Sequence, residues 1–139
     1  MKKHVLVVDD DRDLVQAIKA VLEANGFEVS AAHNGTGALV AISARKPDLI
    51  VLDVMMDSDT EGFGVAYKLE SDAATRRIPV VLLSGFVDHL AAKPDVFAFI
   101  TDRGWPAVKL MRKPVAMAEL LTTIRELLAE AEALKSAVA

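Results

Sequence analysis

Four of the short apolar runs in this sequence each end in side chains that can take part in chemistry. In chain order, these run ends are Asp9-Asp10-Asp11, Asp53, Ser84-Gly85 and Lys113-Pro114. Carboxylates that share one crevice repel each other unless a cation or a proton compensates. Oxygen ligands without His or Cys favour a hard ion such as Mg²⁺, which commonly also binds phosphate oxygens. A carboxylate can be the nucleophile for a phosphoryl group, so these residues predict a Mg²⁺ site at which Asp53 accepts phosphate.

The elements that must position these residues alternate between strands and helices. Runs rich in Val, Leu and Ile are separated by stretches with helical spacing, which is typical of successive βαβ units. Strands are predicted over 5–8, 27–32, 48–53, 78–83 and 108–111, and helices from the Asp cluster to Asn25, over 36–45, about 65–72, within 85–106 and over 117–134. This alternation predicts an α/β, doubly wound parallel sheet. Ligands of such sheets bind beyond the carboxyl ends of the strands, where the four run ends meet.

Length and composition limit the other functions open to the chain. Its 139 residues suit a single domain, 1–139, with no room for an output domain. A net charge of -4 without a Lys/Arg run argues against direct nucleic-acid binding. Because there is no cysteine, thiolate metal sites are excluded. No segment has the pattern of a signal peptide or the length of a membrane span, so we expect a cytoplasmic protein without membrane insertion.

The motifs VLVVDDD, LIVLDVMM, VVLLSG and RKP, in this order, resemble the response-regulator receiver (CheY-like) family of two-component signalling. The resemblance covers nearly the whole chain. It implies a flavodoxin-like (βα)5 sandwich with strand order 2-1-3-4-5. It also implies a stand-alone regulator, not an enzyme in the usual sense, that is phosphorylated by a sensor histidine kinase or a phosphotransfer protein. The signal would pass to an unidentified downstream protein through the face of the fourth helix, fifth strand and fifth helix.

The same resemblance assigns the acidic residues. Asp53 matches the phosphorylated aspartate of the family, and Asp9 and Asp10 match its acidic pair. Asp10 is expected to bind Mg²⁺ directly, together with Asp53 and the backbone carbonyl of Met55. This cofactor and ligand set is what the family pattern implies for these positions.

The remaining site assignments concern the switch and access to the site. Ser84 matches the hydroxyl that turns toward the phosphoryl group, and Lys113 matches the lysine that pairs with the acyl phosphate. Pro114 follows it in the Lys-Pro pair of the family, in which the bond is often cis. Gly85 leaves space for a phosphodonor, whereas Phe86 and Met55 place apolar bulk in the path of attacking water. We therefore predict slow loss of phosphate.

Several positions depart from the family pattern. Asp57 stands where a proline is usual, and the following loop, 57–62, is long and acidic. Leu110 occupies the position of the aromatic switch residue, which puts that form of signalling readout in question. The segment 85–106 is longer than usual and contains Trp105, which suggests a specialised surface.

Each assignment has a simpler alternative. Asp11 is expected to cap the following helix rather than bind metal, Ser84 taken singly could be a turn residue, and Lys113 taken singly could be a solvated surface lysine. The three histidines lie on different elements, and we assign none of them to metal binding or phosphate transfer. A degenerate receiver that binds partners without phosphorylation also remains open.

Two other classes fit less well. A haloacid-dehalogenase-like phosphohydrolase needs a second acid two residues after the nucleophile, where Met55 stands. A flavodoxin-like binding module cradles phosphate in its first loop, where three aspartates would repel an anion.

Overall fold

Five parallel strands form the centre of the molecule in the computed structural model, which describes residues 2–53, 65, 68–69, 71–84 and 108–138. The strands are β1 (His4–Val8), β2 (Glu28–Ala32), β3 (Leu49–Asp53), β4 (Val80–Ser84) and β5 (Val108–Arg112). They lie in the order β2-β1-β3-β4-β5, so the predicted doubly wound sheet is confirmed. The strand bounds differ from the predicted ones by one or two residues, which is the usual uncertainty at element ends.

Three helices are described in full: α1 (Arg12–Ala24), α2 (Gly35–Ala44) and α3 (Met117–Val138). Within the predicted helix 65–72, residues Val65, Lys68, Leu69 and Ser71 are helical. The final helix continues four residues past its predicted end at Leu134, and an ion pair between Lys3 and Glu132 ties its last turns to the sheet. The fourth predicted helix lies outside the described residues. No helix in the described ranges is long and apolar enough to cross a membrane.

The core consists of two apolar layers, one on each face of the sheet. Every residue of β1 and β3 is buried, as expected for central strands covered on both faces. Alternate strand residues such as Leu6 and Leu52 pack with α2 and with Leu69. Their neighbours, such as Val7 and Val51, pack with α1 and α3. This packing therefore determines the position at which each strand ends.

The first two helices begin at side-chain caps. The carboxylate of Asp11 accepts hydrogen bonds from the backbone of Asp13 and Leu14, both at 3.1 Å, which confirms the predicted N-cap. The side chain of Asn34 caps α2 by accepting a hydrogen bond from Gly37 N at 2.6 Å. Gly26, with a φ of 88°, ends α1 in the left-handed conformation that glycine favours. The cap at Asp11 starts α1 directly after the acidic pair.

His4 lies buried at the start of β1, at the end of the sheet away from the acidic pair. Its Nε2 lies 2.6 Å from Ser30 Oγ, and its Nδ1 has no hydrogen-bond partner among the described residues. Burial lowers the pKa of His4 and the nearby charge of Arg45 adds to this, while Asp48 and Glu28 oppose it more weakly. The neutral imidazole is therefore the form that the folded protein favours.

This burial predicts that stability falls in weak acid. The unfolded imidazole takes up a proton near pH 6.5, whereas the folded one does so only at lower pH. The stabilisation is therefore complete above pH 6.5 and is lost as the pH falls, by at most about 1.4 kcal/mol per pH unit for one group. Urea unfolding between pH 7.5 and 5.5 measures it. His4→Gln should flatten this dependence, and an unchanged slope in the variant would rule out His4 as its source.

Candidate functional site

The register of the sheet places the ends of β1, β3, β4 and β5, where the chemically active residues stand, at the same edge of the sheet. Val8 pairs with Leu52, so Asp9 and Asp53 follow neighbouring strands at the same height. Ser84 pairs with Arg112, which places Lys113 just beyond the end of β5. The backbone N–H of Asp9 also donates to Ala32 O at 3.1 Å and so continues the pairing of β1 with β2. The predicted convergence follows from these strand pairings.

Three carboxylates meet at this edge of the sheet. Asp9, Asp10 and Asp53 each offer one oxygen, and these atoms lie within 4.8 Å of one another. Asp9 and Asp53 are buried, with 1% and 2% of their surface exposed, while Asp10 is exposed. The ammonium of Lys113 lies 2.8 Å from Asp9 Oδ2 and 3.3 Å from Asp53 Oδ2. Lys113 is therefore a half-buried partner of the acids rather than a solvated surface lysine.

The balance of charge in this cluster leaves room for another cation. Burial by itself would lower the pKa of Lys113, but contact with the carboxylates of Asp9 and Asp53 outweighs it and raises the pKa above 10.5. The lysine is therefore a cation at neutral pH, and one ammonium faces three carboxylates. Asp9 Oδ1 accepts a hydrogen bond from Asp11 N at 2.9 Å, and its Oδ2 lies against the Lys113 ammonium at 2.8 Å. A metal ion bound here would share the carboxylates with Lys113.

These donors fit Mg²⁺. The set consists of carboxylate oxygens without His or Cys, and one member, Asp10, faces solvent, where the ion could keep its bound waters. The two buried members would gain most from an added positive charge, because like charges that are shielded from water repel strongly. Met55, whose carbonyl was predicted as a further ligand, lies outside the described residues.

The structure leaves other predicted site residues undescribed. Ser84 ends β4, but only its backbone is described. Gly85, Phe86, the acidic loop 57–62 and the segment 85–106 lie outside the described residues. The peptide bond between Lys113 and Pro114 is cis, as the family pattern predicts.

Two residues near the site take roles that the sequence reading did not assign. His33 follows β2, and its Nδ1 lies 3.1 Å from the backbone oxygen of Asp9. In the sequence, only the position of His33 directly after a strand indicated that it could lie near the site. Leu110, at the position of the aromatic switch, packs from β5 against the apolar layer that contains Leu82. It contributes to the core there.

Comparison with known proteins gives the family. The model of the response regulator receiver domain matches residues 5–125. The response regulator MprA of Mycobacterium bovis is 34% identical over 128 residues, which are 92% of this chain and 51% of that protein. The response regulator PleD of Caulobacter vibrioides is 45% identical over 84 residues, 60% of this chain and 18% of that protein. The chain belongs to the response-regulator receiver family.

A solved structure supports the same conclusion at the level of the fold. The crystal structure of a response regulator receiver domain protein (CheY-like) from Methanospirillum hungatei JF-1 superposes with a TM-score of 0.80 at 26% identity. The match covers 95% of this chain and 98% of that one. The chain spans about half the length of MprA and less than a fifth of PleD. The expectation of a regulator without an output domain stays a prediction.

Proposed function

We propose that this receiver accepts a phosphoryl group on Asp53 in a Mg²⁺-dependent reaction, with a histidine kinase or a phosphotransfer protein as the donor. The observation that carries the proposal is the position of Asp53, which is buried, lies within 4.8 Å of two further carboxylates and is paired with Lys113. The incoming phosphoryl group brings additional negative charge, which Lys113 and a metal ion held by the carboxylates would compensate.

The chain's own residues would act on the transfer as follows. A carboxylate oxygen of Asp53 forms a bond to phosphorus as the phosphorus–nitrogen bond to the donor histidine breaks, and the electron pair stays on the imidazole. Lys113, 3.3 Å from Asp53 Oδ2, neutralises charge on the acyl phosphate. Asp9, Asp10 and Asp53 would hold Mg²⁺, which supplies positive charge to the phosphoryl oxygens when bound.

The same residues would pass the signal to the surface. A phosphoryl group on Asp53 would draw the hydroxyl of Ser84 inward and change the contacts of Lys113. Lys113 lies between β5 and α3, and Met111 and Met117 on either side of it pack on one apolar layer. A shift at Lys113 would therefore change the face on which a downstream protein is expected to bind. That face is formed by β5, by α3, which is the fifth helix predicted from the sequence, and by the predicted fourth helix.

Intact-protein mass spectrometry after incubation with acetyl phosphate tests this function. With Mg²⁺ we expect one added phosphoryl mass per chain, and with a chelator none. Asp10→Asn, which removes an exposed carboxylate from the cluster, should lower the labelling rate by about 10-fold or more at limiting Mg²⁺, since ligand loss commonly costs this much affinity. Labelling that is indifferent to the metal would contradict the Mg²⁺ assignment. A protein that binds Mg²⁺ but is labelled by no donor would be a degenerate receiver.

A further inference from the structure

A groove of about 400 Å³ lies beside α2, on the face of the sheet opposite α1 and α3. Its apolar lining comes from Leu39 and Ile42 of α2 and from Leu69 of the neighbouring helical segment. Ser43, Thr75 and Lys68 contribute polar atoms to the lining. The residues of the carboxylate site take no part in it. A concave apolar surface with a polar border has the general form of a protein-binding site.

Helix α2 extends this apolar surface outward. Its ten residues, Gly35–Ala44, contain no charged side chain. Val40 is 64% exposed, although helices of this kind normally turn charged residues toward solvent. The exposed side of α2 therefore lacks the charges that usually keep a helix face free of partners.

Two basic pairs stand close in the sequence to residues that line the groove. Arg45-Lys46 follows α2 two residues after Ser43, and Arg76-Arg77 follows Thr75 directly. The two segments precede neighbouring strands, since Ile50 N in β3 donates to Pro79 O, directly before β4, at 3.0 Å. Of these four cations, Arg45 pairs with Glu28 and Arg76 also has an interaction partner, so neither is counted as available to a ligand.

Three cations near the groove remain available to a partner. Lys46, Lys68 and Arg77 are exposed and form no ion pair within the described part of the chain. Asp72, the one acid among the described lining residues, accepts a hydrogen bond from Ala74 N at 2.9 Å and so stabilises its own turn. An incoming carboxylate would meet more positive than negative charge here.

We propose that this groove binds an acidic amphipathic helix of a partner protein. The apolar side chains of that helix would enter the groove over Leu39 and Leu69, and its carboxylates would contact Lys46, Lys68 and Arg77. Docking of an amphipathic helix in an apolar groove is a common recognition mode, and complementary charge sets the partner and its orientation. Nothing in this assignment depends on phosphorylation of Asp53.

An extended polyanion fits this surface less well than separate carboxylates do. Glu28 pairs with Arg45, Asp48 and Asp72 stand within a few residues of the cations in the sequence, and the chain as a whole carries a net charge of -4. A nucleic-acid backbone or an anionic membrane presents a continuous negative charge, which these acids would repel. A helix with spaced glutamates can place each carboxylate against a cation.

A second groove provides an internal comparison. It also has a volume of about 400 Å³, lies between β5 and α3, and is lined by Met111, Ala118 and Thr122 with two acids, Glu119 and Glu126. An acidic helix would be repelled there. Two grooves of about equal volume, one with an acidic lining and one with Lys68 in its lining, allow charge and shape to be separated experimentally.

The test uses two synthetic amphipathic peptides of about 18 residues, long enough to be helical. Both carry leucines at helical spacing, one with glutamates and the other with lysines on the polar face. The glutamate peptide, added to the isotope-labelled protein, should shift the backbone amide NMR signals of residues 39–46, 68–69 and 72–77. The lysine peptide should leave those signals unchanged.

Two variants and matched controls separate the contributions. Ser43→Trp fills the groove and Lys68→Glu/Arg77→Glu reverses its charge, and each should weaken binding of the glutamate peptide by about 10-fold. Thr122→Trp fills the other groove, and Lys109→Glu reverses an exposed charge that does not line the first groove, so neither should alter this binding. All five substituted positions are exposed, and circular dichroism checks that each variant is folded.

Three results would overturn the proposal. One is binding of the glutamate peptide that neither Ser43→Trp nor the charge reversal weakens. Another is equal binding of the lysine peptide at the same residues. The third is tighter binding of a DNA duplex or of phosphatidylglycerol vesicles through Lys46, Lys68 and Arg77, which would assign the surface to a polyanion instead.

Discussion

Asp53→Asn is expected to abolish formation of the phosphoryl adduct, with labelling by acetyl phosphate reduced at least about 10³-fold. The amide keeps the shape of the side chain but is a very weak nucleophile. Asp53 is buried at the end of β3 with Lys113 beside it, so no exposed acid nearby has the same surroundings. Intact-protein mass spectrometry, followed by peptide mapping of the wild-type adduct, measures the loss and locates the acceptor.

A matched control distinguishes loss of the acceptor from the effect of removing any one carboxylate. Asp13→Asn removes an exposed carboxylate from the first turn of α1, outside the cluster, and should be labelled like the wild type. An adduct that persists in Asp53→Asn would place the phosphoryl group on another residue, with Asp9 and Asp10 the first to examine. Equal loss in both variants would show that the effect is not specific to the site.

Lys113→Met is expected to destabilise the protein by about 2–3 kcal/mol in the absence of Mg²⁺. Removing one partner of a buried ion pair leaves the other charge uncompensated, which typically costs about 3–5 kcal/mol. We reduce that figure because 22% of the lysine side chain is exposed. Asp9 and Asp53 would then face each other without the ammonium between them. Urea unfolding in a chelating buffer measures the change in the free energy of unfolding.

The charge of Lys113, rather than its packing, should account for this loss. Lys113→Arg keeps a cation near Asp9 and should retain most of the stability. Mg²⁺ should restore part of the stability of Lys113→Met, since a dication can take over the compensating role. If the methionine variant is as stable as the wild type without metal, the ion pairs do not hold the site together.

The central strands were predictable because their environment requires a simple pattern. Strand β3, reading LIVLD, is apolar on both faces, and the structure buries all five of its residues. The cap at Asp11 was also predictable, since an acid before an amphipathic run has one common local role. These features depend on short stretches of chain, so local sequence contains the information that decides them.

Long-range geometry accounts for what the sequence reading missed. The chain shows no long basic run, yet Arg45-Lys46 and Arg76-Arg77, 31 residues apart in the sequence, precede the adjacent parallel strands β3 and β4. Strand pairing therefore brings the two basic pairs to the same end of the sheet. The contact of His33 with the backbone of Asp9 likewise arises from the pairing of β2 with β1.

The sequence by itself determined which chemical groups this protein carries and at which strand ends they stand. Only the tertiary structure decided the distances between them, such as the 2.8 Å from Lys113 to Asp9 against the 3.3 Å to Asp53. It also decided that Asp9 and Asp53 are buried while Asp10 faces solvent. The physical reason is that side-chain types and local periodicity are properties of neighbouring residues. Distance and burial depend on strand register and on the layers that pack over the sheet.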